Sequence, residues 1–355
     1  EVAGQLLPSA GSNQFALAPS RTKTGRAILS ADPHLTWEGI FAWYEFGYHT
    51  KDIRFHGVTI SGLPFGVMGH SNNVAWSMTN NNPALFNFYT VKSKPDDPTM
   101  YNYHGEWKKY ETVSMELKYI ENGEMKSRKQ SVRRTLWGPM LPLQSRCVAL
   151  TMLGNWELFD EAIKMARAKD ATEFRNALKI GSISMWNIVY ADTKGHIGYQ
   201  YNARIPHREP GIDWRKTVAG DDPKTKWGPM YTMDELPHIE NPKSGILVNA
   251  NSSPWLTPTD NSIKPDWPAD VTTYGHTSRY DRLSKILLES SSQTVKSKKI
   301  SVEDAKKRAT DTMAPYGLEV VKALQAVPGL KSAMASDAMN ILSKWDGKAN
   351  QDTVG

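Results

Sequence analysis

Ser12-Asn-Gln-Phe-Ala-Leu-Ala-Pro-Ser-Arg-Thr-Lys-Thr-Gly-Arg-Ala-Ile-Leu-Ser-Ala-Asp-Pro-His-Leu35 is the stretch on which the fold of this chain turns. From Asn13 its pattern becomes that of a β-strand. Gln14–Pro19 and Arg26–Asp32 read as two strands joined by a turn at Thr22-Lys-Thr-Gly25, a hairpin signal. The residues ahead of it, EVAGQLLPSAG, show no useful periodicity.

Working outward, Ile40–His49, Ile53–Ser61, Phe65–Gly69 and Val74–Asn80 are further strand candidates. Alternating strands continue through residues 100–140 and turn at Glu121-Asn-Gly123. Helices follow near Trp156–Ala168 and Ala171–Ile180, then a hairpin of Met185–Asp192 and His196–Asn202. Residues 205–245, rich in Pro and Gly, read as a long surface excursion. Ile246–Asn251 is a short strand, and Ser278–Ser290, Val302–Gln325 and Leu330–Trp345 read as helices. Long antiparallel strands followed by blocks of helices predict a layered α+β fold.

The chain has 355 residues, enough for one large domain or two ordinary ones. Its net charge of +6 is mild and spread out. The basic stretches Lys126–Arg134 and Lys296–Arg308 come without a nucleic-acid-binding motif, so they read as solvated faces. No apolar run is long enough to span a bilayer. The single cysteine, Cys147, excludes an internal disulfide framework; its apolar neighbours make it a buried structural thiol. Twelve Trp and fourteen Tyr supply rigid aromatic surface for a core and for an apolar pocket. The chain opens at Glu1 without Met and stops at Gly355 just after Trp345-Asp-Gly347, which reads as a piece of a longer gene product.

Several catalytic patterns are decoys. Ser20-Arg-Thr-Lys23 fits S-x-x-K and Lys23-Thr-Gly25 fits K-T-G, but they overlap in one turn and cannot face each other across a site. Gly69-His-Ser71-Asn-Asn73 lacks the last Gly of a nucleophile elbow and lies between strands. The histidines show no pair at metal-ligand spacing.

Gly11-Ser12-Asn13 alone reads as a loop before a strand. With the residues that follow, it resembles the start of the β-subunit in penicillin acylases and their relatives, which include acyl-homoserine-lactone, aculeacin-type and cephalosporin acylases. In that family the precursor cuts itself before a serine, which becomes the N-terminal nucleophile. The terminal position has a chemical reason. A serine hydroxyl needs a base. A free α-amino group titrates at about 7.7–8.0 and can serve as one, whereas an amide nitrogen is not basic.

The resemblance continues in order along the chain. His34, in Asp32-Pro-His-Leu35, falls where the family has a histidine or glutamine near the nucleophile; on its own it reads as a structural histidine bonded to backbone at a strand end. Gly62-Leu-Pro-Phe-Gly-Val-Met-Gly-His70 through Trp76-Ser-Met-Thr79-Asn80 resembles the strand pair whose residue after the threonine gives a backbone N–H to the oxyanion hole, here Asn80. Ser71 departs from the family's usual asparagine. Asn249-Ala-Asn251-Ser-Ser-Pro254 resembles the segment whose second asparagine donates to the oxyanion, here Asn251. Arg279, in Ser278-Arg-Tyr-Asp-Arg282-Leu, falls on the family's arginine near the nucleophile.

The resemblance implies an N-terminal-nucleophile hydrolase fold, a four-layer αββα sandwich with antiparallel sheets plus β-rich and helical insertions. It implies that residues 1–11 end a linker propeptide, and that 12–355 form a catalytic β-subunit truncated at its C-terminus. The implied partners are a small acyl amide and an α-subunit from the same precursor. The implied reaction is amide hydrolysis without metal or organic cofactor. Some penicillin acylases carry a structural calcium ion, but the stretch after Asn80 lacks the aspartates that hold it, so no metal site is expected. His34 tilts the substrate toward acyl-homoserine lactones over β-lactams; a non-processing binding protein of the same fold is a third reading. Leu35, Trp37, Phe65 and Trp76 are candidate acyl-pocket residues by proximity to these segments, and each could equally be core. Family members are usually periplasmic or secreted.

Overall fold

The computed structural model describes residues 11–142, 145–268, 271–272, 275–289, 299–328 and 332–352. The linker assignment for residues 1–10, and the ends of two expected helices at Ser290 and Leu330, lie outside them.

The strands are β1 (Gly11–Leu17), β2 (Ile28–His34), β3 (Trp43–His49), β4 (Arg54–Ile60), β5 (Met68–His70), β6 (Val74–Asn80), β7 (Phe86–Thr90), β8 (Ser93–Lys94), β9 (Asp97–Tyr103), β10 (Glu106–Lys109), β11 (Glu111–Glu121), β12 (Glu124–Arg134), β13 (Arg146–Leu150), β14 (Met185–Asp192), β15 (Ile197–Ala203), β16 (Val218–Ala219), β17 (His238–Glu240) and β18 (Ile246–Asn249). The helices are α1 (Leu158–Arg167), α2 (Ala171–Leu178), α3 (Ser278–Leu288), α4 (Val302–Ala309), α5 (Gly317–Gln325) and α6 (Ala333–Leu342).

Two sheets form the centre. The larger runs β17-β15-β14-β6-β5-β4-β3 and the smaller β18-β1-β2. Strand alternation explains how they stack, because successive side chains point to opposite faces. In β1, Phe15 and Leu17 pack with Val248, Leu283, Leu287 and Ala305, under α3 and α4. Ala16 packs the other way, with Val189, Ala191 and Tyr199 of the larger sheet. In β6 and β14, Trp76, Met78, Ile188 and Tyr190 pack with Met165, Phe174 and Leu178 of α1 and α2. The order is therefore helices, small sheet, large sheet, helices: the expected four-layer αββα sandwich.

Helix ends are held where the sequence offers acceptors. Asp170 caps α2 by accepting from Glu173 N–H, and the buried Asp192 carboxylate accepts from Ala171 N–H. Ser301 and Asp304 form a capping box on α4.

Three expectations change. The single helix over Val302–Gln325 is two helices, α4 and α5, separated by a segment holding Pro315 and by Tyr316 at φ 62°; a proline lacks the N–H that a continuous helix requires. The first hairpin pairs further toward the N-terminus than its pattern suggests, from Gly11 opposite His34 to Leu17 opposite Ile28. Residues 205–245 are anchored rather than a surface excursion, since Ile205, Trp214, Val218, Met233 and Leu236 are all buried. The basic Lys126–Arg134 stretch lies largely in β12, which pairs with β11 as an exposed two-stranded ribbon. No helix among the described residues is long and apolar enough to cross a membrane.

Candidate active site

Ser12 lies near the start of β1 and is buried, 7% exposed. By the two-residue period its side chain shares a face with Gln14 and Ala16, toward the large sheet. Its hydroxyl donates to Gly11 O at 2.6 Å, and its N–H donates to Asn251 Oδ1 at 2.7 Å.

Asn251 follows β18 in a left-handed backbone conformation, φ 59°, a region that asparagine tolerates better than most residues. Its amide orientation follows from its partners. Arg279 Nη2 donates to Oδ1 at 2.9 Å, and a guanidinium has no acceptor. Nδ2 therefore faces the other way, where it donates to Asn80 O at 2.9 Å. An amide nitrogen carries two hydrogens, so Asn251 Nδ2 keeps donor capacity beyond this bond.

Arg279 comes from the first turn of α3 and also donates through Nη1 to Ser12 O at 2.7 Å and to Asn13 Oδ1 at 2.6 Å. Burial lowers its tendency to hold charge, and the nearby Asp32 carboxylate opposes that.

His34 takes a different place from Ser12. It pairs with Gly11 across the hairpin, and its side chain shares a face with Asp32 and Asn13 rather than with Ser12. Its Nε2 lies 2.8 Å from Asp32 Oδ2, and Asn13 Nδ2 donates to the same carboxylate oxygen at 3.4 Å. A Cβ added to Gly11 would sit 3.4 Å from His34 Nδ1 and 2.8 Å from Arg279 Nη2. His34 thus stands beside the Gly11 side of the Gly11–Ser12 bond.

Asn80 ends β6, and its side-chain oxygen accepts from Asn82 N–H at 2.8 Å. Its carbonyl accepts from Asn251 and also from Asn187 Nδ2 at 3.3 Å. Behind it lies a buried polar layer between the two sheets. Thr79 Oγ1 donates to Asn249 Oδ1 at 2.6 Å, Gln14 Nε2 donates to Thr79 Oγ1 at 3.3 Å, and Asn249 Oδ1 accepts from Asn251 N–H at 3.0 Å.

Ser12, Asn80, Asn251 and Arg279 are thus brought into one hydrogen-bonded cluster, with His34 at its edge. The candidate pocket residues separate. Leu35 follows His34 directly and is partly buried. Trp37 is 95% exposed. Trp76 is fully buried on the face of β6 opposite Thr79, its ring tilted against those of Phe55 and Phe174, with Nε1 donating to Val67 O at 2.8 Å. Phe65 belongs to the same apolar layer, edge-on to Phe159. Trp76 and Phe65 pack in the apolar core under α1 and α2, and Trp76 lies on the opposite face of β6 from Thr79.

Sequence reasoning missed the side chains of Asn13, Asp32, Thr79, Asn187 and Asn249. One signal was available: Asn187 interrupts the otherwise apolar run of β14 at a core position, where an amide persists only if its hydrogen bonds are met.

Among the described residues, no three His, Cys, Asp or Glu side chains gather as a metal site. The segment after Asn80 is held by Arg208, which donates to Ala84 O at 2.7 Å and to Asn87 Oδ1 at 3.1 Å. A calcium ion does not fit here, since it would meet a guanidinium and no carboxylate from residues 81–87.

The chain matches a family model described as penicillin amidase over residues 1–355. It is 26% identical over 348 residues to penicillin acylase 2 proenzyme of Pseudomonas sp. (strain SE83), covering 95% of this chain and 42% of that protein. It is also 26% identical over 371 residues to acyl-homoserine lactone acylase QuiP of Pseudomonas fluorescens, covering 97% of this chain and 42% of that one. This chain therefore spans less than half the length of these curated relatives. Among solved structures, a thermostable penicillin G acylase from Alcaligenes faecalis shares the fold with a TM-score of 0.75 and 24% identity, over 96% of this chain and 60% of that one.

Proposed function

On the premise that this chain belongs to the penicillin amidase family, we propose that it carries the reacting centre of an amide hydrolase that cuts itself at Gly11–Ser12 and then uses Ser12 as its nucleophile. The observation that carries this reading is the setting of Ser12. Its hydroxyl lies against the Gly11 carbonyl, and its nitrogen is held by an asparagine that Arg279 locks in place.

In self-cleavage, Ser12 Oγ bonds to the Gly11 carbonyl carbon, the Gly11–Ser12 C–N bond breaks, and the Oγ proton ends on the Ser12 nitrogen. Water then hydrolyses the resulting ester, leaving a Gly11 carboxylate and a Ser12 amine. That amine titrates near neutrality and becomes the base for Oγ. A substrate amide then reacts in two steps. Oγ takes the acyl group and the amine product leaves with a proton; water next attacks the acyl-enzyme through the same base. The Asn80 N–H and the Asn251 side chain stabilise the oxyanion. Each such donor contributes about 10²–10³ in rate.

The substrate class proposed is an N-acyl homoserine lactone, supported by His34 at the family's variable position and by the relative of that name. A β-lactam substrate is the second reading, supported equally by the penicillin acylase relative. The full protein is expected to include an α-subunit from the same precursor, in the periplasm or outside the cell. The test is a substrate panel on protein expressed from the complete coding sequence, with acid and amine products separated by chromatography. Homoserine lactone amides of four to twelve acyl carbons are set beside penicillins G and V, with Ser12→Ala as the blank. Release of fatty acid from the lactones supports the first reading; turnover of penicillins alone supports the second; no turnover above the blank removes both.

A further inference from the structure

Asn187 sits in β14 with no exposed surface, on the face toward the small sheet. Its neighbours on that face, Val189 and Ala191, are apolar core residues. An apolar side chain would serve packing better here, because a buried amide costs free energy unless all its hydrogen bonds are made. Asn187 makes them. Nδ2 lies within donating distance of Thr79 Oγ1 at 3.2 Å, Asn80 O at 3.3 Å and Asn249 Oδ1 at 3.2 Å. Oδ1 accepts from Tyr199 OH at 2.7 Å. Tyr199 is fully buried, and burial holds its phenol protonated far above the ordinary range, so it donates and fixes which way the Asn187 amide faces.

Two features link this hub to reactivity rather than packing alone. The Asn80 carbonyl takes hydrogen bonds from two amides on different elements, Asn187 on β14 and Asn251 beyond β18. The Asn249 oxygen that Asn187 approaches is the same one that accepts from the Asn251 backbone N–H. Asn187 therefore ties the end of β6 and the start of the Asn251 turn to one point.

Resting on the reading above that Ser12, Asn80 and Asn251 form the reacting centre, we propose that Asn187 is a positioning residue of that centre. It fixes the Asn80 peptide and, through Asn249, the left-handed backbone of Asn251. It touches no substrate atom. It sets the distance between the two oxyanion donors, and misplacement by an ångström is costly at such a centre.

The experiment uses protein from the complete coding sequence and the p-nitroanilides of hexanoic, decanoic and phenylacetic acids. Wild type, Asn187→Ala, Tyr199→Phe and the double variant are compared for kcat, KM and unfolding midpoint. Asn187→Ala is expected to lose about tenfold or more in kcat with KM within about threefold, as fits an interaction used in the transition state. Tyr199→Phe is expected to lose less, and the double variant no more than Asn187→Ala alone, because both act through one amide. Should Asn187→Ala fail to fold, Tyr199→Phe carries the test, since it removes a single hydroxyl. Wild-type kcat in Tyr199→Phe and in any folded Asn187→Ala, with only the unfolding midpoint lowered, overturns the Asn187 assignment alone. A wild type that hydrolyses none of the anilides and stays uncut overturns the reading beneath it, and the assignment with it.

Discussion

Arg279 Nη2 and Asn251 Oδ1 are 2.9 Å apart, and that bond decides which way the Asn251 amide faces. With Oδ1 bound to Arg279 and to the Ser12 nitrogen, Nδ2 can only point toward Asn80. Arg279→Lys keeps the charge but cannot span Ser12 O, Asn13 Oδ1 and Asn251 Oδ1 from two nitrogens. The expected loss in kcat is about a hundredfold, close to that of losing one oxyanion donor. Steady-state kinetics check it; a Lys variant within threefold of wild type speaks against the role.

Gly11 has no room for a side chain. An alanine Cβ would meet Arg279 Nη2 at 2.8 Å and Cζ at 3.1 Å, and that guanidinium is pinned by its own bonds. Gly11→Ala is expected to slow self-cleavage roughly ten- to a hundredfold through displacement of Arg279. Once cut, the mature enzyme no longer contains the altered residue at its new terminus, so its kcat should equal that of wild type. A time course of cleavage by mass spectrometry, followed by kinetics on the processed fraction, separates the two.

Trp76 should behave as core. It is 1% exposed and packs in tilted ring contacts against Phe55 and Phe174. Trp76→Ala is expected to cost about 3–5 kcal/mol in urea unfolding. The ratio of kcat/KM between a short and a long acyl chain should stay unchanged. A changed ratio with little loss of stability would return Trp76 to the pocket.

Glu161 gives a pH signature. It is fully buried in α1, its Oε2 accepts from Ser182 and Ile183 N–H, and burial raises its pKa from the ordinary 4.5 to about 8. Below pH 4.5 the carboxyl is protonated in both folded and unfolded chains, so stability is at its full value. As pH rises from about 4.5 to about 8, the unfolded chain ionises while the folded one resists. Stability falls by at most roughly 1.4 kcal/mol per pH unit over that window. Glu161→Gln should flatten the decline. Thermal unfolding of both proteins from pH 4 to 9 is the measurement, and parallel curves contradict it.

Local pattern carried much of the architecture into the sequence. Phe15 and Leu17 alternate with Gln14 and Ala16 in β1, and that period alone implies a strand covered on both faces. The four layers became legible only through the resemblance, because periodicity does not say which sheet faces which. The helix break before Tyr316 was signalled by Pro315, yet the apolar pattern on either side hid it. At the site, Ser12, Asn251 and Arg279 are more than two hundred residues apart in part, and no spacing rule joins them. Their order along the family's pattern did. Asn187, Asn249 and Thr79 escaped because their roles depend on two sheets meeting, which is a tertiary fact. Pocket or core stayed open for Trp76 in the sequence, because closeness to Thr79 says nothing about which face of β6 a side chain takes.

Intact-mass analysis with N-terminal sequencing tests the central claim most directly, on protein from the complete coding sequence beside a Ser12→Ala control. Self-cleavage predicts a subunit that begins at Ser12 in the wild type and a single uncut chain in the control. An uncut chain in both would leave the Ser12 nitrogen an amide, without a base for Oγ, and would contradict the mechanism while leaving the fold untouched.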